Sequence, residues 1–167
     1  MGVKPSKSNA GGIVVGLATL GPIGRRLPAP GTWGSLAGIL YFAVFFERCG
    51  VVENLIASAL GAVIAALICG WAEVRLGRKD PGEVILDEFV AMPLCFLGWP
   101  SLLSHWPIWA VLLAGFGLFR FYDILKPLGI SQLQAIPGGW GVVIDDTAAA
   151  LAACATLHVL VRIFAVR

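Results

Sequence analysis

Charge is what this sequence has least of. Only 13% of its 167 residues are Asp, Glu, Lys or Arg, about half the share of an ordinary soluble domain. With 58% apolar residues, that shortage excludes a soluble globular domain and points to a chain that crosses a membrane several times. Histidine is also scarce. His105 and His158 are the only two, and both are predicted on the outer side, which excludes a lipid phosphatase built on a histidine nucleophile. The four cysteines, Cys49, Cys69, Cys95 and Cys154, have no CxxC spacing and read as small packing residues in or beside apolar runs. The GxxxxGK[ST] phosphate loop and the DxxDGxxAR pattern of phosphatidyl transferases are absent. No cleavable signal peptide is expected, because the N-terminus is polar and the first apolar patch, residues 13–20, is short and glycine-rich. The net charge is only +2, and no nucleic-acid partner is expected.

What is present is a series of apolar runs: Trp33–Phe46, Asn54–Val74, Val84–Trp99, Ile108–Leu125 and Val142–Val166. A vertical crossing takes about 20 residues, so the first run either just crosses or is re-entrant. The expected fold is all-α: a polytopic membrane helix bundle over residues 33–167, with about five transmembrane or re-entrant helices. Residues 1–32, rich in Gly and Pro with Lys4, Lys7, Arg25 and Arg26, read as an irregular cytoplasmic or interfacial arm. Gly34 and Gly38, and Gly61 with Ala65, provide small residues four apart that permit close helix packing. Asp80-Pro81-Gly82-Glu83 reads as a helix start, with Asp as cap, Pro at the first position and Glu three after the cap. Residues 126–141 read as a glycine-rich loop.

Basic residues orient the bundle. If the N-terminus is cytoplasmic and every run spans, the inner side holds Lys4, Lys7, Arg25, Arg26, Arg75, Arg78, Lys79, Arg120 and Lys126, and the outer side only Arg48, Arg162 and Arg167. Tryptophans agree: Trp33, Trp71 and Trp140 fall at the inner interface, and Trp99, Trp106 and Trp109 at the outer. The same topology collects the acids. Glu73, Asp80, Glu83, Asp87, Glu88, Asp123, Asp145 and Asp146 come to the inner side, and only Glu47 and Glu53 fall outside.

Three stretches carry the chemistry. Phe119-Arg120-Phe121-Tyr122-Asp123-Ile124-Leu125-Lys126-Pro127 is a helix end carrying plus, minus, plus on nearly one face. Asp87-Glu88 and Asp145-Asp146 are adjacent acids near helix starts. They lie in segments that align without gaps, Glu83–Ala91 with Gly141–Ala149, so both pairs are expected at the same depth. Adjacent carboxylates resist joint ionisation unless something compensates, and ionisable groups inside a membrane point to function. Hard oxygen ligands without His or Cys suit Mg²⁺. Arg120 offers a planar fork for a phosphate and Lys126 a point charge. The 137–141 loop offers backbone N–H groups at a helix start, and Thr32 and Ser35 offer hydroxyls. Together these are the ingredients of phosphoryl transfer.

The chain resembles the bacterial phosphatidylglycerophosphatase A family. The resemblance rests on Ala29-Pro-Gly-Thr-Trp-Gly-Ser35, Val84-Ile-Leu-Asp-Glu88, Phe119–Pro127 and Gly138-Gly-Trp-Gly-Val-Val-Ile-Asp-Asp146. It departs from the family at Tyr122, where Phe is more usual, and at Phe89-Val90-Ala91, where a glycine often follows the acidic pair. The resemblance implies removal of the terminal phosphate of phosphatidylglycerophosphate, a membrane phospholipid, to give phosphatidylglycerol at the cytoplasmic face of the inner membrane. The expected site has Asp87, Glu88, Asp123, Asp145 and Asp146 around one or two Mg²⁺, with Arg120, Lys126, Thr32 and Ser35 on the phosphate. The attacking group is water or one of the aspartates. The rival reading is a small ion- or proton-coupled transporter with buried carboxylates.

Overall fold

The computed structural model describes residues 9–127 and 129–164. Lys4, Lys7 and Arg167 of the charge pattern lie outside them. The described chain is helical throughout, without strands: α1 (Asn9–Ala18), α2 (Pro22–Arg26), α3 (Pro30–Phe45), α4 (Val51–Leu76), α5 (Leu86–Ala91), a 3₁₀ helix (Met92–Phe96), α6 (Trp99–Leu103), α7 (Ile108–Leu125), α8 (Ile130–Leu133) and α9 (Gly139–Ile163). Three described helices, α4, α7 and α9, are long and apolar enough to cross a membrane. α3 has 16 residues, a length of about 24 Å.

Residues 9–26 were expected to be irregular and are not. α1 packs its Val15 and Ala18 against Ala65, Ala66, Cys69 and Ala72 of α4. Its many glycines lower helix propensity, and this tertiary burial overrides them. The helix expected to start at Asp80 starts instead at Leu86. Asp80 is left-handed, with φ 47°, and its carboxylate and that of Glu83 bond to side chains outside the segment rather than capping their own turn. The chain from there is pinned by the Ile85 N–H donating to the Ala18 carbonyl at 2.9 Å.

The run Val84–Trp99 is not one helix. Pro93 has no N–H and its ring clashes with the carbonyl four residues earlier in an α-helix, and the chain tightens into the 3₁₀ turn at Met92. Gly98 then takes φ 72°. The break is compensated from α4: buried Asn54 donates Nδ2 to the Pro93 carbonyl at 3.2 Å, and Ser58 donates to Asn54 Oδ1 at 3.0 Å. Apolar surroundings make such satisfaction necessary. The broken segment still runs beside α9 in the same direction. Asp87 lies next to Asp146 at one end, and at the other His158 Nε2 donates to the Leu97 carbonyl at 2.8 Å. The alignment of 83–91 with 141–149 therefore corresponds to two parallel neighbours.

The deeper core joins Phe42, Phe96, Trp99, Leu102 and Leu157. Trp99 meets Phe42 edge-on at 5.0 Å between centroids and is buried, so it belongs to this core and not to the outer belt. Trp33, Trp71, Trp109 and Trp140 are exposed, as a belt requires. The glycines bring backbones together. A Cβ on Gly38 would sit 2.5 Å from Met92 Cγ, and one on Gly34 2.9 Å from Ile85 Cβ. A Cβ on Gly139 would come closer still to α4, 2.1 Å from the Ala66 carbonyl oxygen. α9 begins at this glycine, where a loop was expected, and Asp145 and Asp146 lie beyond its first turn.

Candidate active site

Each acidic pair is placed by a different element. α5 carries Asp87 and Glu88, α9 carries Asp145 and Asp146 one turn further in, and the last turns of α7 carry Arg120 and Asp123. α7 stops at Leu125 because Pro127 follows, and Lys126 takes the left-handed conformation, φ 44°. All seven side chains line one cavity of about 310 Å³.

Within it the five expected acids divide by partner. One carboxylate oxygen from each of Asp87, Glu88 and Asp146 lies within 4.8 Å of the others. Asp123 Oδ2 accepts from Arg120 Nη1 at 2.6 Å. Asp145 Oδ2 accepts from Lys126 Nζ. Arg120 Nη1 also stands 3.8 Å from Glu88 Oε1, which links the two groups. For Lys126, burial works against the charge, but the hydrogen bond and charge of Asp145 outweigh it and hold the ammonium above its ordinary range. Among the described residues, three buried polar atoms have no hydrogen-bond partner: Glu88 Oε2, Asp145 Oδ1 and Arg120 Nε. Orphaned buried polar atoms are costly, and all three belong to residues that line this cavity.

The donor set fits a hard divalent cation. Three carboxylates this close cannot all ionise without a compensating positive charge, and oxygen-only ligands from two helices suit Mg²⁺. Asp123 and Asp145, expected among the ligands, are held by cations of the protein.

Other expectations differ. Ser35 is fully buried, and its hydroxyl donates to the Gly31 carbonyl at 2.7 Å, a bond within α3 that leaves it outside the cavity lining. Thr32 does not line the cavity either. The glycine-rich 138–141 segment packs on α4 and on the carbonyls of Gln134 and Ile136, and it does not line the cavity. Neither histidine lines the cavity.

Gly31, Asp80 and Gln134 are among the lining residues that the sequence reading did not assign to the site. A Cβ on Gly31 would stand 2.3 Å from Glu88 Oε1 and 2.9 Å from Arg120 Nη1. Its place in Ala29–Ser35, one residue before Thr32, was the available signal. The Asp80-Pro81 dipeptide was the signal for the second, read then as a cap. Gln134 had none.

The acids gather at one end of the bundle. Glu47 and Glu53 flank the far end, and no other described acid lies between, so there is no path of carboxylates across the bundle of the kind a transporter would need.

The sequence profile of the family described as Phosphatidylglycerophosphatase A matches residues 16–161. A Haemophilus influenzae protein named phosphatidylglycerophosphatase A is 39% identical over 125 residues, 74% of this chain and 74% of its own. An Escherichia coli protein of the same name is 31% identical over 130 residues, 77% of this chain and 72% of its own. A Bacteroides thetaiotaomicron protein, provisionally named a phosphatidylinositol-3-phosphatase, is 36% identical over 126 residues, 72% of this chain and 76% of its own. No solved structure matches. The matched stretch runs from α1 nearly to the end of α9 and contains every charged residue of the cavity, and the chain belongs to the phosphatidylglycerophosphatase A family of membrane phosphatases.

Proposed function

We propose that the protein hydrolyses the terminal phosphomonoester of phosphatidylglycerophosphate to phosphatidylglycerol and inorganic phosphate, with Mg²⁺, at the cytoplasmic face of the bacterial inner membrane. The observation that carries this is the convergence of Asp87, Glu88 and Asp146 beside Arg120 and Lys126 in one cavity at the end of apolar helices. The names of two relatives supply the lipid. The cytoplasmic reading is supported by the charge bias. Arg25, Arg26, Arg75, Arg78, Lys79, Arg120 and Lys126 lie toward the site end, against Arg48 and Arg162 toward the other.

Asp87, Glu88 and Asp146 would hold the cation, and Mg²⁺ when bound supplies charge neutralisation at the phosphoryl oxygens and lowers the pKa of a coordinated water. Arg120 presents its guanidinium to the phosphate, and Asp123 fixes the plane of that fork. Lys126 adds a point charge in the same cavity. In this reading Asp145 would accept the proton of an attacking water through Oδ1, which has no protein partner. The new P–O bond forms from that water as the bond to the glycerol oxygen breaks; the departing alkoxide takes up a proton from solvent, to which Asp145 returns the one it accepted. The acyl chains stay in the bilayer while the headgroup enters the cavity from the side.

Phosphate release by the purified full chain in detergent micelles tests this, with Mg²⁺ and with EDTA, for wild type and Asp146→Asn. Phosphatidylinositol 3-phosphate is assayed in parallel because of the Bacteroides relative. Release from phosphatidylglycerophosphate that needs Mg²⁺ and is lost in the variant is expected. A folded wild type that leaves this lipid intact overturns the reading.

A further inference from the structure

Asp80 stands apart from the other carboxylates of the cavity. Asp123 and Asp145 are neutralised by Arg120 and Lys126, and the remaining trio faces a common point. Asp80 lines the same cavity from its exposed end, yet no basic side chain pairs with it among the described residues. Its Oδ2 accepts from Gln134 Nε2 at 3.0 Å. Its own N–H donates to Glu73 Oε1 at 2.8 Å. Gln134 lines the cavity too, and its backbone carbonyl accepts from Lys79 Nζ at 2.5 Å. The loop after α4 and the loop before α9 are thus tied together at the mouth, with Asp80 held at φ 47°, a conformation that few residues other than Gly, Asn and Asp adopt readily.

A carboxylate without a cation is an odd wall for a site that receives a phosphate. It repels any further negative charge placed against it, and what a lipid phosphomonoester, which has no cation near its phosphate, can offer it favourably is a neutral hydrogen-bond donor. A phosphomonoester of glycerol carries such a donor on the carbon next to the ester-bearing one. We propose that Asp80, positioned by Gln134, is a specificity-determining residue that accepts a hydrogen bond from a free hydroxyl of the substrate's alcohol portion. The site then selects lipid phosphomonoesters of polyols over those whose alcohol has no free hydroxyl. This rests on the phosphatase function proposed above and adds to it the part of the substrate that is recognised beyond the phosphate.

The test compares kcat/KM for phosphatidylglycerophosphate and for its deoxy analogue, in which propane-1,3-diol replaces the headgroup glycerol. The full chain is used in micelles with Mg²⁺. Wild type is expected to prefer the hydroxylated lipid by about tenfold to a hundredfold, the worth of one hydrogen bond to a charged group. Asp80→Gly, which suits the positive φ and deletes the carboxylate, brings that ratio to about one. Asp80→Asn, which keeps the shape and an uncharged acceptor, gives an intermediate ratio and decides the matter if the glycine variant does not fold. A wild-type ratio near one overturns the inference, and so does an undiminished ratio in the variants. Equal losses on both substrates also count against it, since they mean that Asp80 only holds the loop. A wild type inert on both lipids defeats the phosphatase reading itself, a result distinct from all of these.

Discussion

Gly31 and Glu88 are in contact across the α3–α5 interface, with no room for a side chain between them: a β-carbon on Gly31 would lie 2.3 Å from Glu88 Oε1. Gly31→Ala must therefore displace Glu88, Arg120 or both. A misplacement of about 1 Å in a catalytic constellation can cost about a hundredfold in rate. The expected result is a loss of about tenfold to a hundredfold in kcat, with thermal stability in detergent close to wild type. An active Gly31→Ala enzyme would show that Glu88 has slack the packing does not suggest.

Neutralising the acidic trio should act on metal before anything else. Asp87→Asn, Glu88→Gln and Asp146→Asn each remove one charge from three oxygens within 4.8 Å. Mg²⁺ stabilises the folded state only as far as it binds it. Wild type is expected to melt higher with Mg²⁺ than with EDTA, and each variant to lose that difference. Differential scanning fluorimetry of the purified protein reads it without any substrate.

Lys126 and Asp145 predict a stability term with a defined pH window. The folded lysine lies above its ordinary value of 10.5, so its contribution is fully present below that value and fades as pH rises through the folded pKa. Lys126→Met should lower the melting temperature by the same amount at pH 7 and pH 9. The gap should close only above the ordinary lysine range. A gap that closes between pH 7 and pH 9 would contradict the pairing.

The polar brace at Pro93 is a stability prediction away from the chemistry. Asn54→Leu leaves the Pro93 carbonyl without its donor, at a cost of about 1–3 kcal/mol. Ser58→Ala removes only the bond that orients Asn54, and should cost less. Unfolding in mixed micelles by increasing denaturing detergent would rank them, and equal effects would count against the hierarchy.

Glycines offer a paired control. A Cβ on Gly38 meets Met92 at 2.5 Å, and one on Gly117 meets nothing within 4 Å. Gly38→Ala should destabilise markedly through overpacking, by about 1–3 kcal/mol. Gly117→Ala should be neutral or mildly stabilising, because alanine is the better helix former. The same detergent titration reads both.

The apolar runs were legible because composition alone reports burial in lipid: α7 begins and ends where its run does, α4 extends its run by a few residues at each end, and α9 starts three residues before its run and stops at Ile163. The gathering of Asp87, Glu88, Asp123, Asp145 and Asp146 was legible because topology fixes depth. Their division was not. Whether Asp145 faces Lys126 or a cation depends on the rotation of α9 against α7, which no local pattern records. α1 was missed because glycine and proline argue for loops, and only contact with α4 makes it a helix. The break at Pro93 was signalled by the proline itself, but its tolerance depends on Asn54, thirty-nine residues earlier. Ser35 carried the right chemistry and was placed facing the wrong way.

The two parallel segments described above, 87–97 and 146–158, meet at both ends, once through carboxylates and once through the Leu97–His158 bond. They behave as matched rulers clamped at the far end. Inserting one residue in α9 between Ala149 and Leu157 would turn everything before it by about 100°, and Asp146 would leave the cavity while its helix stayed intact. Spacing along these two rulers cannot change without that loss, so the register of the cavity end is kept at the opposite end of the molecule, by residues that do not line the cavity.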